Sequence, residues 1–159
     1  PGDGRTADYR EGVYVGYRWY DARRMPVLWP FGHGMGYTGF VYRNARLSTD
    51  TLAEGGEVKV CVTVKNSGAV RGAEVVQLYI SDETGAPIAG GRVPQVLRGF
   101  SKVWLDPGEE RDVEFVLTAR DLAHYDPTHR AWHTAPGRYL LRLGHTSRDI
   151  RASLALVFG

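Results

Sequence analysis

The chain has 159 residues, 43% of them hydrophobic and 24% charged, with a formal net charge of +2. This composition excludes a disordered or collagen-like chain, and a chain of this length buries enough surface to fold without a disulfide or structural metal. Seventeen of the twenty basic residues are arginines, scattered rather than run together, so there is no basic stripe to track phosphates and nucleic acid is not an expected partner.

Cys61 is the only cysteine, which excludes an intrachain disulfide and a cysteine-based metal site but does not decide between a secreted and a cytoplasmic protein. No apolar run approaches the ~18 residues of a membrane span, so no membrane partner is expected. The chain opens on Pro1, which reads as a piece processed or excised from something longer.

In chain order, residues 1–8 are polar and glycine-rich and read as a mobile end. Residues 9–21, YREGVYVGYRWYD, alternate Val13, Val15, Tyr17 and Trp19, which predicts a strand. Residues 22–41 hold prolines and glycines without a sustained period and read as an ordered loop. A weak strand follows at 44–49. In EVKVCVTVKN, Val58, Val60, Val62 and Val64 alternate with Lys59, Cys61, Thr63 and Lys65, as in a sheet covered on one face. NSGAVRG is a turn, and AEVVQLYIS places Val76, Leu78 and Ile80 on one face. After the loop DETGAPIAGGRVP, the strand QVLRGFSKVWL contains Gly99, which predicts a bulge or bend. The turn DPGEE leads into RDVEFVLT, a second long connection spans 119–137, and RYLLRLG and ASLALVF close the chain as strands. About seven strands separated by turn signals predict an all-β, antiparallel sandwich of immunoglobulin or fibronectin type III-like architecture, with residues 1–41 as an N-terminal strand-and-loop strap. Lys59, Lys65 and the two proline-bearing loops are candidates for protecting sheet edges.

Few residues carry chemistry. His124, His129 and His133 lie within ten residues, and two of them are four apart, but Pro127 and Pro136 flank the segment, so a metal pair competes with incidental loop histidines. His33 sits between two glycines, where a lone histidine most often bonds a neighbouring carbonyl. Asp82 with Glu83, Glu109 with Glu110, and Asp121 with Asp126 are the available carboxylate pairs for glycoside chemistry, yet all stand beside turn residues. A GxSxG nucleophile elbow is absent, and GHGMG lacks the strand–turn–helix context of a phosphate loop. No catalytic residue, metal site or cofactor is assigned.

The aromatics stand out. Tyr9, Tyr14, Tyr17, Trp19, Tyr20, Trp29, Phe31, Tyr37 and Phe40 crowd into 32 residues. Burying even four of them is worth more, gross, than the ~5–15 kcal/mol by which a domain is normally stable. They are therefore expected to pack on the sandwich, on an upstream domain or on another copy. A sugar-stacking platform is the alternative to an interdomain joint.

EGVYVGYRWYD followed by PVLWPFGHGMGYTGF resembles the end of the second catalytic-region domain of glycoside hydrolase family three running into its fibronectin type III-like domain. VTVKNSGAVRGAEVVQLYIS, LRGFSKVWLDPGE and VEFVLTARDLAHYD follow in the family's order, so the resemblance covers residues 9 to about 150. Departures are Met35-Gly36 where Leu-Ser is usual and Tyr125 where Trp is common. The resemblance implies a division into residues 1–41, the tail of the preceding α/β domain plus an interdomain strap, and 42–159, the sandwich. It implies a catalytic Asp and Glu upstream of this segment, in a parent that is a retaining exo-acting β-glucosidase working through a covalent glycosyl-enzyme. Glu11, Tyr17, Arg18 and Asp21 match the family's joint motif without an assigned sugar contact. The expected docking residues are Tyr14, Tyr17, Arg18, Trp19, Trp29, Phe31, Tyr37 and Phe40. The expected partners are the parent's catalytic domains, in the same or a separate chain, with polysaccharide as the alternative.

Overall fold

The computed structural model describes residues 10–86, 88 and 91–159. The predicted mobile end 1–8, Tyr9, and Pro87, Ala89 and Gly90 lie outside the described residues. Seven strands of eight residues or more build the described fold: β1 (Phe40–Leu47), β3 (Glu57–Asn66), β4 (Gly72–Asp82), β5 (Val96–Leu105), β6 (Glu110–Thr118), β9 (Gly137–Gly144) and β10 (Ile150–Phe158). They form a three-stranded sheet, β1-β3-β6, and a five-stranded sheet, β2-β10-β9-β4-β5, in which β2 (Thr51–Leu52) pairs parallel to β10. The other ladders of both sheets are antiparallel. This is the predicted all-β sandwich.

The core follows from the period-two pattern. Val58, Val60, Val62 and Val64 of β3 are fully buried and meet Val76, Leu78 and Ile80 of β4, Leu141 and Leu143 of β9, and Leu156 of β10. On the opposite face of β3, Lys59 reaches Glu114 at 3.1 Å and Lys65 reaches Glu110 at 2.8 Å. These lysines guard no edge, because β3 is the central strand of its sheet and the edges are β1 and β6. The predicted irregularity at Gly99 is a bulge: Leu78 faces Gly99 and Tyr79 faces Leu97, which leaves Arg98 as the extra residue. A Cβ at Gly99 would come within 2.9 Å of the Phe115 ring, so this close approach also calls for glycine.

Two segments differ from the sequence reading. The alternating run Val13–Trp19 forms no strand; residues 10–13 turn, and α1 (Tyr17–Ala22) follows. Gly12 and Gly16 take φ of 59° and 61°, left-handed values that break an extended run and open the helix. The 119–137 connection is not plain loop either. Asp121 accepts hydrogen bonds from the backbone N–H and hydroxyl of Thr118, starting α2 (Ala119–Leu122), and a hairpin of β7 (His124–Asp126) and β8 (Ala131–His133) follows.

Candidate functional site

Gln77, Tyr79 and Ser81 of β4 point away from the core between the sheets, yet all three are buried. The N-terminal segment covers the first two. Tyr17 meets Tyr79 edge-on at 6.1 Å, stacks on Phe31 at 4.5 Å, and accepts the Leu97 N–H with its hydroxyl at 2.9 Å. The Gln77 carboxamide donates to Gly32 O at 3.2 Å and to His145 O. The turn between β9 and β10 supplies the other fastenings: Ser147 N–H donates to Phe31 O at 2.9 Å, and the Arg148 guanidinium donates to Asp21 Oδ1 and to Met25 O, both at 2.9 Å. Residues 14–34 are thus strapped across the outer face of the five-stranded sheet.

A buried carboxylate anchors the end of this strap. Glu74 Oε1 accepts from the Tyr42 hydroxyl at 2.9 Å and lies 2.7 Å from His145 Nδ1, while His145 Nε2 lies 3.2 Å from Gly34 O. Burial would lower the pKa of His145, but the Glu74 hydrogen bond and charge, with the Gly34 carbonyl, outweigh it and leave the imidazole raised. Burial first, then Glu74, holds the Tyr42 phenol protonated.

The seven aromatics among the expected docking residues divide into two groups. Tyr14, Tyr17 and Phe40 face inward: the Tyr14 hydroxyl donates to Arg92 O at 3.3 Å, and Phe40 packs against the core. Trp29 is 61% exposed and Tyr37 fully exposed; Trp19 and Phe31 are also exposed, though Phe31 stacks on Tyr17. Within this chain the sandwich therefore takes only part of the aromatic cluster. Arg18 lines a cavity of about 430 Å³ between α1, β5 and the β7–β8 hairpin.

The other candidates serve local structure. His33 stacks on Trp29 at 4.6 Å, His124 and His133 meet edge-on across the hairpin, and His129 bonds Asp126 at 2.6 Å. That bond, with backbone N–H groups, lowers the Asp126 carboxyl to about 2. Glu109 is lowered by the Asp106 N–H and Arg111, and Glu110 by Lys65. These carboxyls are held ionised, the opposite of what a general acid needs.

Reading the sequence missed Gln77, Tyr79, Glu74, His145, Ser147 and Arg148, which form the seat. A signal existed in β4: Val75, Gln77, Tyr79 and Ser81 carry no charge, whereas the outward face of β3 carries two lysines.

Comparison with known proteins agrees with this architecture. The model of the fibronectin type III-like domain family matches residues 74–147. The chain is 40% identical over 150 residues to thermostable β-glucosidase B of Acetivibrio thermocellus, covering 94% of this chain and 20% of that protein. It is 39% identical over 158 residues to β-glucosidase BoGH3A of Bacteroides ovatus, covering 99% and 21%. The crystal structure of a GH3 β-glucosidase from Bifidobacterium adolescentis superposes with a TM-score of 0.88 at 35% identity, over 99% of this chain and 23% of that one. The chain spans about a fifth of the length of the curated relatives it matches. Residues 74–147 of this two-sheet sandwich match the fibronectin type III-like domain family, and the chain matches the C-terminal part of a glycoside hydrolase family three β-glucosidase.

Proposed function

We propose that this chain is a non-catalytic accessory module that buttresses the catalytic domains of a family three glycoside hydrolase. The parent reaction is the retaining exo-hydrolysis of terminal β-D-glucosyl residues. In this reading residues 42–159 are the sandwich, and residues 1–41 are the end of the preceding domain and the interdomain strap. The observation that carries it is the division of the strap aromatics. Tyr14, Tyr17 and Phe40 hold the strap to the sandwich, and Trp19, Trp29, Phe31 and Tyr37 present rings outward to a second body. The match to about a fifth of several β-glucosidases supports the same reading.

The test is an activity assay on the purified chain with an aryl β-glucoside. No turnover is expected, and turnover abolished by changing one of the chain's own carboxylates would sink the proposal. Polysaccharide binding is the competing use of the outward rings. Retention on insoluble glucan that is lost on Trp29→Ala or Trp132→Ala would replace docking with that role.

A further inference from the structure

The Tyr17–Leu97 hydrogen bond does more than hold α1 to β5. The next residue on each side is an arginine, and Arg18 and Arg98 both line the 430 Å³ cavity, close enough for each charge to oppose the other. Arg98 is the extra residue of the β5 bulge, a device that re-aims a side chain out of the ladder. Its guanidinium donates to Ala123 O at 2.8 Å, and its Nε is buried without an acceptor. Among the described residues neither Arg18 nor Arg98 forms an ion pair with a carboxylate. The two acids of the cavity wall hydrogen-bond other groups, although the Asp121 charge lies near enough to favour the charged form of Arg98. Asp82 bridges Arg92 at 2.8 Å and accepts the Thr84 N–H, and Asp121 holds Thr118. Ile80, Val96, Leu122 and Trp132 supply apolar wall. Asp121 offsets part of the repulsion between the Arg18 and Arg98 cations but pairs with neither, and the buried Arg98 Nε keeps an N–H without an acceptor, so the arrangement is incomplete in hydrogen bonds.

We infer that this cavity binds a carboxylate carried on an apolar body. The guanidinium fork matches a carboxylate in two-point geometry, the apolar walls and the Trp132 ring take the body, and the volume lies in the range of small-ligand pockets. The carboxylate comes either from a free organic acid or from an acidic side chain on an apolar polypeptide segment. Both present the same chemistry to Arg18 and Arg98.

Amide NMR of the whole chain, titrated with 3-phenylpropionate and with its neutral amide, tests the inference. The acid is expected to saturate shifts at the Leu122 and Ala123 amides, with the neutral amide at least about tenfold weaker. Arg18→Gln and Arg98→Gln are each expected to remove most of that difference. Should Arg98→Gln fail to fold, Arg18→Gln on α1 and the acid-against-amide comparison still decide. A second arm uses acetyl-leucyl-glutamyl-leucinamide and its glutamine counterpart. Tighter binding of the glutamyl peptide than of phenylpropionate assigns the site to a polypeptide, and the reverse assigns it to a small acid. Equal binding of acid and amide, or no shift at Leu122 and Ala123 at millimolar ligand, overturns the inference.

Discussion

His145 and Glu74 meet at 2.7 Å, Nδ1 to Oε1, while the far nitrogen of the same ring faces Gly34 O at 3.2 Å. Both partners are acceptors, so only the imidazolium satisfies both with N–H donors. A neutral ring leaves a lone pair against one of them. The ring thus latches the strap, through Gly34, to β4.

The latch depends on pH, and its sign is fixed by the raised His145 pKa. Glu74, Tyr42, Arg151 and Asp149 surround the ring, and the two acids favour its charge. Stability from a raised histidine is fully present below the ordinary imidazole value of about 6.5 and is lost as pH rises through the folded-state value. Hydrogen exchange at the His33 and Ser147 amides, which donate to Pro30 O and Phe31 O beside the latch, corrected for its intrinsic pH dependence, is expected to lose protection above that point. His145→Gln is expected to remove the pH dependence. Unchanged protection in the native chain across the whole range would refute the latch.

Tyr17→Phe keeps the Phe31 stack and the Tyr79 contact but removes the acceptor of the Leu97 N–H. Leaving that donor unpaired is expected to cost about 1–3 kcal/mol. Tyr17→Ala also forfeits the ring contacts, so it is expected to be the more destabilising of the two. Urea unfolding measures both. A Phe variant as stable as the native chain would show that water satisfies Leu97 and that the hydroxyl is not an anchor.

These residues show where the sequence is transparent and where it is not. The four valines of β3 announce a buried face because an inward position must be apolar at every second residue. The same rule misleads at Val13–Trp19, where the alternation spans only seven residues and two glycines at left-handed φ override it. The seat on β4 is hidden for another reason. Its partners, Gly32 and His145 on Gln77 and Tyr17 on Tyr79, are scattered along the chain, and only folding brings them there. The strap's aromatics announce a packing role, but whether each ring turns inward depends on which neighbours folding brings to it: Phe40 meets the core, and a tyrosine also needs a partner for its hydroxyl. Tyr17 has Leu97, whereas Tyr37 is left fully exposed.

Gly32 seats the strap on Gln77, with φ of 82° and an added Cβ falling on the Gln77 carboxamide. Gly32→Ala is therefore expected to cost about 1–3 kcal/mol through backbone strain and displacement of Gln77. The loss should be local. Exchange protection at Ser147, which donates to Phe31 O, falls, while the β3–β6 ladder keeps its protection. Loss of protection in both regions together would mean that the strap and sandwich unfold as one unit.

Asn66 ties the strap's exit to two turns and is fully buried. Its Nδ2 donates to Val70 O at 2.8 Å and Leu105 O at 3.0 Å, and its Oδ1 accepts from the Thr38 hydroxyl at 2.6 Å and the Gly68 N–H at 3.0 Å. Asn66→Ala orphans several of these groups and is expected to cost about 2–4 kcal/mol. Asn66→Asp is nearly isosteric but turns an ionised oxygen toward the two carbonyls. At neutral pH it should be at least as damaging as alanine. The introduced carboxyl has a raised pKa, because burial and the carbonyls disfavour its charge. As pH falls through that value the acid form regains an O–H donor, so the penalty relative to the native chain shrinks on acidification. Chemical unfolding of both variants at neutral and mildly acidic pH checks this. An aspartate penalty that does not change with pH would show that water, rather than protein, faces the Asn66 amide.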